Sequence, residues 1–402
     1  MKDIARIVIA LILTAALSAG TAVYIAAGDK TDKTAYKAAE TETVEVKEFS
    51  EGTSLAEKLY ESMSEDENWF VSPHSIKTAL LMAANGASGE TREQILKVLG
   101  VSDLDASNEA AKSFSERTAA AEDITIETGD SLWVNLDNPD GTRFSGGFTE
   151  LMEKFYSAET GEFDSKNGAG KINGWISKKT HGRIEKLIDK ADFDAAIIDT
   201  IYMKAEWVDK FDARATFKQT FHNADGGTAN IDFMHNTDHF SYADIDGCRL
   251  AVLPYRGGVS MTLILGDAGE DIARLISEAE FTSQELELAM PKFSSDTTVS
   301  LDETLKGLGM TDAFDKERAD FSSMVDRGNM YISTILHKAN VDVDEDGTEA
   351  AAVTAIMYAA TSALIEKPQP IPFVCDRPFT YVISDDETGE ILFMGRFANA
   401  EG

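Results

Sequence analysis

The segment Glu345–Ala355 reads EDGTEAAAVTA and opens a stretch that carries no charge from Ala350 to Ile365. Charges are frequent in the chain as a whole, since 27% of the 402 residues are charged. A run this small and apolar is either buried or kept available for burial. Its position after a predicted strand and before a Pro-rich stretch favours the second possibility. The alternative is an ordinary Ala-rich helix, because alanine has the highest helix propensity.

The overall composition is that of a large, acidic protein with an extensive core. The chain is 43% hydrophobic, and its formal net charge is -33 at pH 7. Its length would allow two or three domains, but no long linker divides residues 48–402, and we predict a single domain there. The negative charge argues against nucleic acid and anionic membrane surfaces as partners.

The N-terminus has the pattern of an export signal. Lys2 and Arg6 flank its start, and Ile7–Gly28 is apolar and uncharged. This run approaches the length that spans a bilayer, while the small residues of Ala15–Gly20 would suit a signal peptidase. We therefore predict residues 1–28 as a signal peptide or a membrane anchor, with both readings open. Residues 29–47 are predicted as a polar tether to a domain outside the cytoplasm.

Hydrophobic periodicity predicts helices mainly in the first half of the chain and strands mainly in the second. This distribution predicts an α+β fold with large, mostly antiparallel sheets. Predicted helices span 54–64, 76–87, 91–99, 170–187 and 301–308. Predicted strands span 68–71, 124–134, 197–207, 228–234, 249–255, 260–265, 285–290, 330–343, 373–374, 379–383 and 391–397.

A set of short motifs follows one another along the chain. They are NWFVSPHSI (68–76) with GASGET (86–91), INGW (172–175) with THGRI (180–184), IYMKAEW (201–207), MPKF (290–293) with ADFS (319–322), HKA (337–339) with EDGTEAAA (345–352), and DRPF (376–379) with LFMGR (392–396). In this order they resemble the serpin family of serine protease inhibitors, in an inhibitory, exported, bacterial-like form. Each motif alone is weak, but the ordered set is specific and covers essentially everything after the tether.

This resemblance implies a fold and a mechanism. Helices would pack around three mostly antiparallel sheets, with an exposed reactive-centre loop at about 345–370. A target serine protease would cleave that loop, and the loop would then enter the central sheet as a new strand before the acyl-enzyme hydrolyses. The protein would be a single-use suicide substrate and not an enzyme, a monomer that needs no cofactor and forms a covalent 1:1 complex. Its native state would be held by a kinetic barrier.

The uncharged run suits such an insertion. An entering strand buries alternate side chains. The first members of that set are small and uncharged, so neither their size nor their desolvation opposes burial, and Gly347 gives the backbone freedom to turn. The implied hinge residues are Glu345, Gly347, Thr348, Ala350, Ala351 and Ala352, and the alternate set continues through Thr354, Ile356 and Tyr358.

The usual loop length of the family, counted from Glu345, puts the reactive bond between Thr361 and Ser362. The segment from Ser362 to Pro378 is several residues longer than the family pattern. Met357, Tyr358 and Leu364 therefore stay open as rival specificity residues. A small residue at the cleaved bond implies elastase-like or subtilisin-like targets. The nearest basic residue is Lys367, among prolines, which argues against a trypsin-like target.

A second implied site is the buried cluster under the opening sheet, which in the family holds two serines, an asparagine and a histidine. Ser72, Ser75 and His337 match it, but Asp199 stands where the family has asparagine. We hypothesise that Asp199 pairs with a protonated His337, so that inhibition or latency depends on pH between about 5 and 7. The alternative is that His337 is a buried histidine with a purely structural role, whose hydrogen bonds are all made in the folded protein. Trp207 matches the family's aromatic residue at the top of the sheet.

Other functions find little support in the sequence. No nucleophile elbow or phosphate-binding loop is present, which argues against the competing hypothesis of a secreted hydrolase. His235 and His239 have metal-like spacing but are predicted to lie in a loop, and no metal is expected. Residues 103–122 are acidic or neutral, so heparin is not expected as a partner. Cys248 and Cys375 do not form a disulfide framework, and whether they pair is open. A non-inhibitory serpin acting as an extracellular binding protein is the alternative function.

Overall fold

The computed structural model describes residues 53–138, 141–268, 272–348 and 369–401. The predicted export signal and tether lie outside the described residues. So do the reactive bond at Thr361–Ser362, its rivals, and the hinge alanines Ala350, Ala351 and Ala352.

The described residues form helices and two hydrogen-bonded sheets, which confirms the predicted α+β fold. The helices are α1 Thr53–Glu61, α2 Pro73–Gly86, α3 Gly89–Leu99, α4 Leu104–Ala120, α5 Gly146–Tyr156, α6 Gly168–Lys179, α7 Ile272–Glu278 and α8 Asp302–Gly307. The strands are β1 Trp69–Val71, β2 Ile124–Asn135, β3 Glu159–Phe163, β4 Ala195–Glu206, β5 Phe217–His222, β6 Thr228–Ile245, β7 Cys248–Tyr255, β8 Val259–Leu265, β9 Thr282–Pro291, β10 Phe293–Ser300, β11 Thr334–Val343, β12 Gly347–Thr348, β13 Ile371–Val374, β14 Phe379–Asp385 and β15 Ile391–Phe397.

One sheet has nine strands, in the order β1-β15-β14-β8-β7-β6-β9-β13, with β5 also paired to β6. The long strand β6 joins two groups of strands, because its first part pairs with β5 and β9 and its last residues pair with β7. Two of the three sheets that the resemblance implied are therefore continuous through β6.

The second sheet has six strands, in the order β10-β11-β12-β4-β2-β3. Most of its pairings are antiparallel, but β11 runs parallel to β4 and β2 runs parallel to β3. One of the apolar clusters of the core lies between this sheet and the nine-stranded sheet and includes Ile201, Val341, Leu253 and Met261. Burial of apolar side chains of this kind is the main favourable term in folding.

Helix α2 packs under the six-stranded sheet and brings the SPHS motif to it. Ser72 caps the helix, since its Oγ accepts a hydrogen bond from Ser75 N at 3.1 Å, and Pro73 occupies the first turn. Both choices are typical of helix starts. Ile76 and Leu80 are fully buried, so this helix is held firmly against the core.

Three sequence-based predictions differ most from the structure. The helix predicted for 170–187 ends at Lys179, because His181 and Gly182 adopt positive φ angles of 50° and 81° that a helix cannot continue. The strand predicted for 330–343 begins only at Thr334. Residues 235–239, predicted as a loop, belong to β6, where pairing with β9 satisfies the backbone despite the polar side chains. Helices α4, α5 and α7 were not among the predicted helices.

Cys248 and Cys375 are both buried and both free thiols. Among the described residues, no helix is long and apolar enough to cross a bilayer. Within the same ranges, no group of three or more His, Cys, Asp and Glu side chains is arranged to hold a metal ion. His235 instead stacks on Phe217, with ring centroids 4.2 Å apart.

Candidate functional site at the seam of the six-stranded sheet

The line along which β4 and β11 pair directly, called the seam here, runs through the centre of the six-stranded sheet. Residues Thr334–Asn340 pair in parallel with Ala196–Tyr202. Beyond Asn340 the two strands separate, and β12 lies between them. Thr348 pairs antiparallel with Val343 on one side and with Ala205 on the other. The sheet is therefore closed along most of the seam and open at one end, where a two-residue strand has entered.

Thr348 is fully buried in this open end. Its hydroxyl hydrogen-bonds with that of Tyr255 at 2.9 Å, and burial raises the pKa of Tyr255 far above its usual range. Tyr255 stacks on Trp207 with ring centroids 3.9 Å apart. Trp207 Nε1 donates to the carbonyl of Asp344 at 3.0 Å. Two predicted site residues, Thr348 and Trp207, thus meet through Tyr255, which was not predicted.

A tight turn over residues 344–347 leads the chain into the seam. Asp344 Oδ1 accepts hydrogen bonds from Asp346 N at 2.9 Å and Gly347 N at 3.2 Å, and Asp344 N donates to Gly347 O at 2.9 Å. Gly347 has a φ of +149°, and a Cβ there would lie 2.7 Å from Glu206 Cα. Only glycine fits this conformation and this close approach, which agrees with its predicted place at the hinge.

Basic side chains hold the acidic residues of the turn. Lys292 Nζ donates to Glu345 Oε2 at 2.6 Å, and Thr216 donates to Glu345 Oε1 at 2.7 Å. Burial alone would raise the pKa of Glu345, but these two bonds outweigh it and leave that pKa below its usual value. Lys210 Nζ lies 3.1 Å from Asp346 Oδ1. The hinge is therefore anchored on both sides.

The buried cluster under the seam brings together Ser72, Ser75, Asp199 and His337. His337 lies opposite Asp199 across the seam, and its Nδ1 is 2.7 Å from Asp199 Oδ2. Ser75 Oγ donates to Asp199 Oδ1. Ser72 Oγ donates to the carbonyl of Leu392 at 2.5 Å. Trp207 lies at the other end of the seam and is not part of this cluster.

The contacts of His337 define its tautomer. Ser72 N donates to His337 Nε2 at 3.1 Å, and a backbone N–H can only donate. Nε2 must therefore be unprotonated, and the single proton lies on Nδ1, where it bonds Asp199. This geometry describes a neutral imidazole, whereas the sequence-based hypothesis assumed a protonated one. Protonation of His337 Nε2 would place its N–H against the backbone N–H of Ser72.

The sequence analysis missed a second buried carboxyl, that of Asp130. Asp130 on β2 lies directly opposite Asp199 on β4, and the two residues are 5% and 0% exposed. Burial, and then the charge of Asp199 and a hydrogen bond with it, raise the pKa of Asp130 well above its usual range. Across the sheet, His337, Asp199 and Asp130 thus form a row on three neighbouring strands.

The missed residues left different signals in the sequence. Asp130 is a charged residue inside the run Gly129–Asn135, which is buried throughout, an unusual position for a carboxylate in a strand. Tyr255 and Lys292 left none, because only the meeting of distant strands places them beside the hinge.

Comparisons with known proteins agree with this architecture. The sequence model of the family described as Serpin (serine protease inhibitor) matches residues 50–400. A serpin-like protein of Thermococcus kodakarensis is 32% identical over 361 residues, which cover 85% of this chain and 83% of the relative. The thermophilic serpin tengpin, solved in its native state, superposes with a TM-score of 0.78 at 27% identity, covering 87% of this chain and 93% of tengpin.

A third likeness concerns the fold alone. Thyroxine-binding globulin, solved in complex with thyroxine, has a TM-score of 0.74 at 22% identity, covering 87% of this chain and 99% of the globulin. The family model, the relatives and the two-sheet architecture point to one conclusion. The chain belongs to the serpin family.

Proposed function

We propose that this chain is an irreversible, single-use inhibitor of serine proteases. The observation that carries the proposal is β12: the start of the loop already lies in the seam, with Thr348 paired to both β4 and β11. A strand continuing from Thr348 in the same direction would run antiparallel to both neighbours along the remaining seam. Thr348, Ala350 and Ala352 would then bury small side chains there.

The proposed mechanism follows from this arrangement. The serine of the protease attacks the carbonyl of the reactive residue, the peptide bond breaks, and an ester joins the two proteins. Cleavage frees the N-terminal part of the loop, which enters the seam as a full strand. The protease is carried along and distorted before water hydrolyses the ester. The new backbone pairing and the release of stored strain supply the driving force.

The target class depends on the cleaved bond. Counting from Glu345 supports Thr361–Ser362 and an elastase-like or subtilisin-like protease, with Met357, Tyr358 and Leu364 as rivals. We propose a covalent 1:1 complex with the protease, formed outside the cytoplasm by a secreted or membrane-anchored protein. Heparin is not expected to assist, because α4 and its flanks carry more acidic than basic residues.

The test is a search for the covalent adduct. The purified chain is incubated with an elastase-like, a subtilisin-like and a trypsin-like protease, and the products are run on denaturing gels. We expect an adduct with the first or second protease, and mass spectrometry of the released C-terminal peptide identifies the cleaved bond. Cleaved chain without any adduct, for all three proteases, would contradict the proposal.

The fold likeness to a thyroxine complex favours one second candidate, an extracellular binding protein without inhibitory activity. Such a protein would be cleaved as a plain substrate, and cleavage would not raise its thermal stability. An inhibitor of the proposed kind gains stability when the cleaved loop inserts, so a thermal melt before and after cleavage separates the two candidates.

A further inference from the structure

We propose that Asp130 and Asp199 hold one proton between their carboxyl groups, and that loss of this proton promotes opening of the seam. Asp130 would then be a positioning residue that acts through Asp199. The inference rests on the proposed function, since seam opening matters for inhibition only if the loop inserts there.

The first observation is the position of Asp130 relative to Asp199. Asp130 and Asp199 are opposite each other on antiparallel strands, so their side chains project from the same face of the sheet. Both are buried, and two carboxylates in contact away from water cannot both be ionised. Among the described residues, no donor reaches Asp130 Oδ1. A proton held by the pair supplies the missing donor.

The neighbours of Asp199 decide which carboxyl is ionised. Asp199 accepts hydrogen bonds from the Ser75 hydroxyl and from His337 Nδ1, both of which stabilise its charged form. The proton therefore belongs mainly to Asp130. The family pattern has asparagine where this chain has Asp199, and an amide there would need no shared proton.

Other titratable groups lie around the pair, and Asp130→Asn leaves all of them in place. His337 on β11 is neutral in this geometry, because it accepts from Ser72 N. Lys179 on α6 forms an ion pair with Glu159 at 2.6 Å, and its charge is the smallest of the influences that act on the pKa of Asp130. His74 on α2 lines the same cavity as Asp130, and its Nδ1 lies 3.1 Å from the carboxylate of Glu390. On α5, Tyr156 shares with Asp130 a cavity of about 90 Å³ between α4 and β2, and no titratable side chain of α4 lines it.

The direction of the effect follows from linkage. Asp130 binds its proton more tightly in the closed sheet than in any state that lets water reach the pair. Rising pH therefore removes the proton more readily from the opened state and favours opening. The window begins near the unperturbed aspartate pKa of about 3.9 and extends upward to the raised value in the closed sheet. The cavity gives the proton a route to solvent at the side of Asp130.

Hydrogen exchange measures this opening without any protease. Peptides that cover 195–206 and 334–343 are followed by mass spectrometry between pH 5 and 8, in the parent chain and in Asp130→Asn. The asparagine supplies a permanent donor to Asp199 and carries no charge. Intrinsic exchange depends on pH equally in both proteins, so the ratio of their opening constants is the readout.

We expect this ratio, parent over variant, to rise at least about tenfold between pH 5 and pH 8. Asp123→Asn, an exposed residue just before β2, makes the same change of charge and should leave the parent profile unchanged. A ratio that is constant with pH, or an equal effect of Asp123→Asn, would overturn the proposal.

Infrared spectroscopy of the parent chain tests the same point without a variant, in case Asp130→Asn does not fold. A protonated carboxyl band at pH 7 is expected, and its absence would refute the shared proton. The outcomes for the proposed function and for the carboxyl pair can be told apart. The absence of an adduct with every protease would refute inhibition. An exchange ratio that does not change with pH, in a chain that forms adducts, would refute only the shared proton of Asp130 and Asp199.

Discussion

His337 Nδ1 lies 2.7 Å from Asp199 Oδ2 across the seam, and both side chains are fully buried. A strand that enters between β4 and β11 separates these two residues and breaks the bond. Each partner would then need another donor or acceptor, because an unsatisfied buried polar group is costly. This bond therefore contributes to the barrier that keeps the sheet closed.

Removal of the Ser75 hydroxyl should lower that barrier. Ser75→Ala deprives the buried carboxylate of Asp199 of one donor, which we expect to cost roughly 1–3 kcal/mol. The variant should melt at a lower temperature and convert faster to a loop-inserted form that resists urea, as followed on native gels. Ser113→Ala, at an exposed position of α4, is the control and should behave like the parent. Equal conversion rates for Ser75→Ala and the parent would contradict the role given to this hydroxyl.

Gly347→Ala should expel β12 from the seam. The added Cβ meets Glu206 Cα at 2.7 Å, and the φ of +149° is unfavourable for alanine. Strain of this kind costs about 1–3 kcal/mol, and withdrawal of the hinge relieves it. The environment of the stacked Trp207 and Tyr255 should change, which near-ultraviolet circular dichroism detects. Gly174→Ala, where no atom lies within 4 Å of the new Cβ, should leave this signal as it is.

Thr348→Arg should convert an inhibitor into a substrate. Thr348 is fully buried against Tyr255, and a guanidinium there would be desolvated without a partner. Insertion is then blocked at its first residue, while the loop remains open to cleavage. Denaturing gels should show cleaved chain in place of the adduct. Thr125→Arg, at an exposed site on β2, should still form the adduct, and an unchanged adduct with Thr348→Arg would rule out insertion from this hinge.

Acid should release the hinge through Glu345. Its pKa in the folded chain is lowered, because the bonds from Lys292 and Thr216 outweigh burial. A lowered pKa contributes stability above the unperturbed value of 4.5, and this contribution is lost as pH falls through the lower folded value. Hydrogen exchange of a peptide covering 340–348 should accelerate in that range. Lys292→Met should show the faster exchange already at pH 7, and slow exchange in this variant would speak against the anchor.

The N-terminal half of the fold could be predicted in part from the sequence, because local signals and tertiary packing favour the same structure there. The helix predicted for 76–87 is found as α2, but it begins three residues earlier, at Pro73, directly after the capping residue Ser72. The helix expected to reach Leu187 ends at Lys179 instead, because the positive φ angles at His181 and Gly182 follow from packing and not from propensity.

The positions of Gly347 and Thr348 could also be predicted from the sequence, because local residue size and packing agree there. Gly347 and Thr348 belong to a run of small residues, and small residues are required where two backbone segments approach closely. Such an approach is found between Gly347 and Glu206. The alternative of an Ala-rich helix fails for Thr348, which is strand-paired on both sides.

The sequence by itself determined the family and the α+β class, because both depend on local residue types and their order. It also predicted Gly347 and Thr348 at the start of the loop, and Ser72, Ser75, Asp199 and His337 under the seam, but not Asp130. Only the tertiary structure decided which donors and acceptors of that cluster face one another. Ser72, Asp130, Asp199 and His337 come from four distant segments. The register of β2, β4 and β11 places Asp130, Asp199 and His337 in a row, and the packing of α2 under the sheet brings Ser72 to His337. A charge state depends on burial and on the donors in contact, and neither can be read from one stretch of chain.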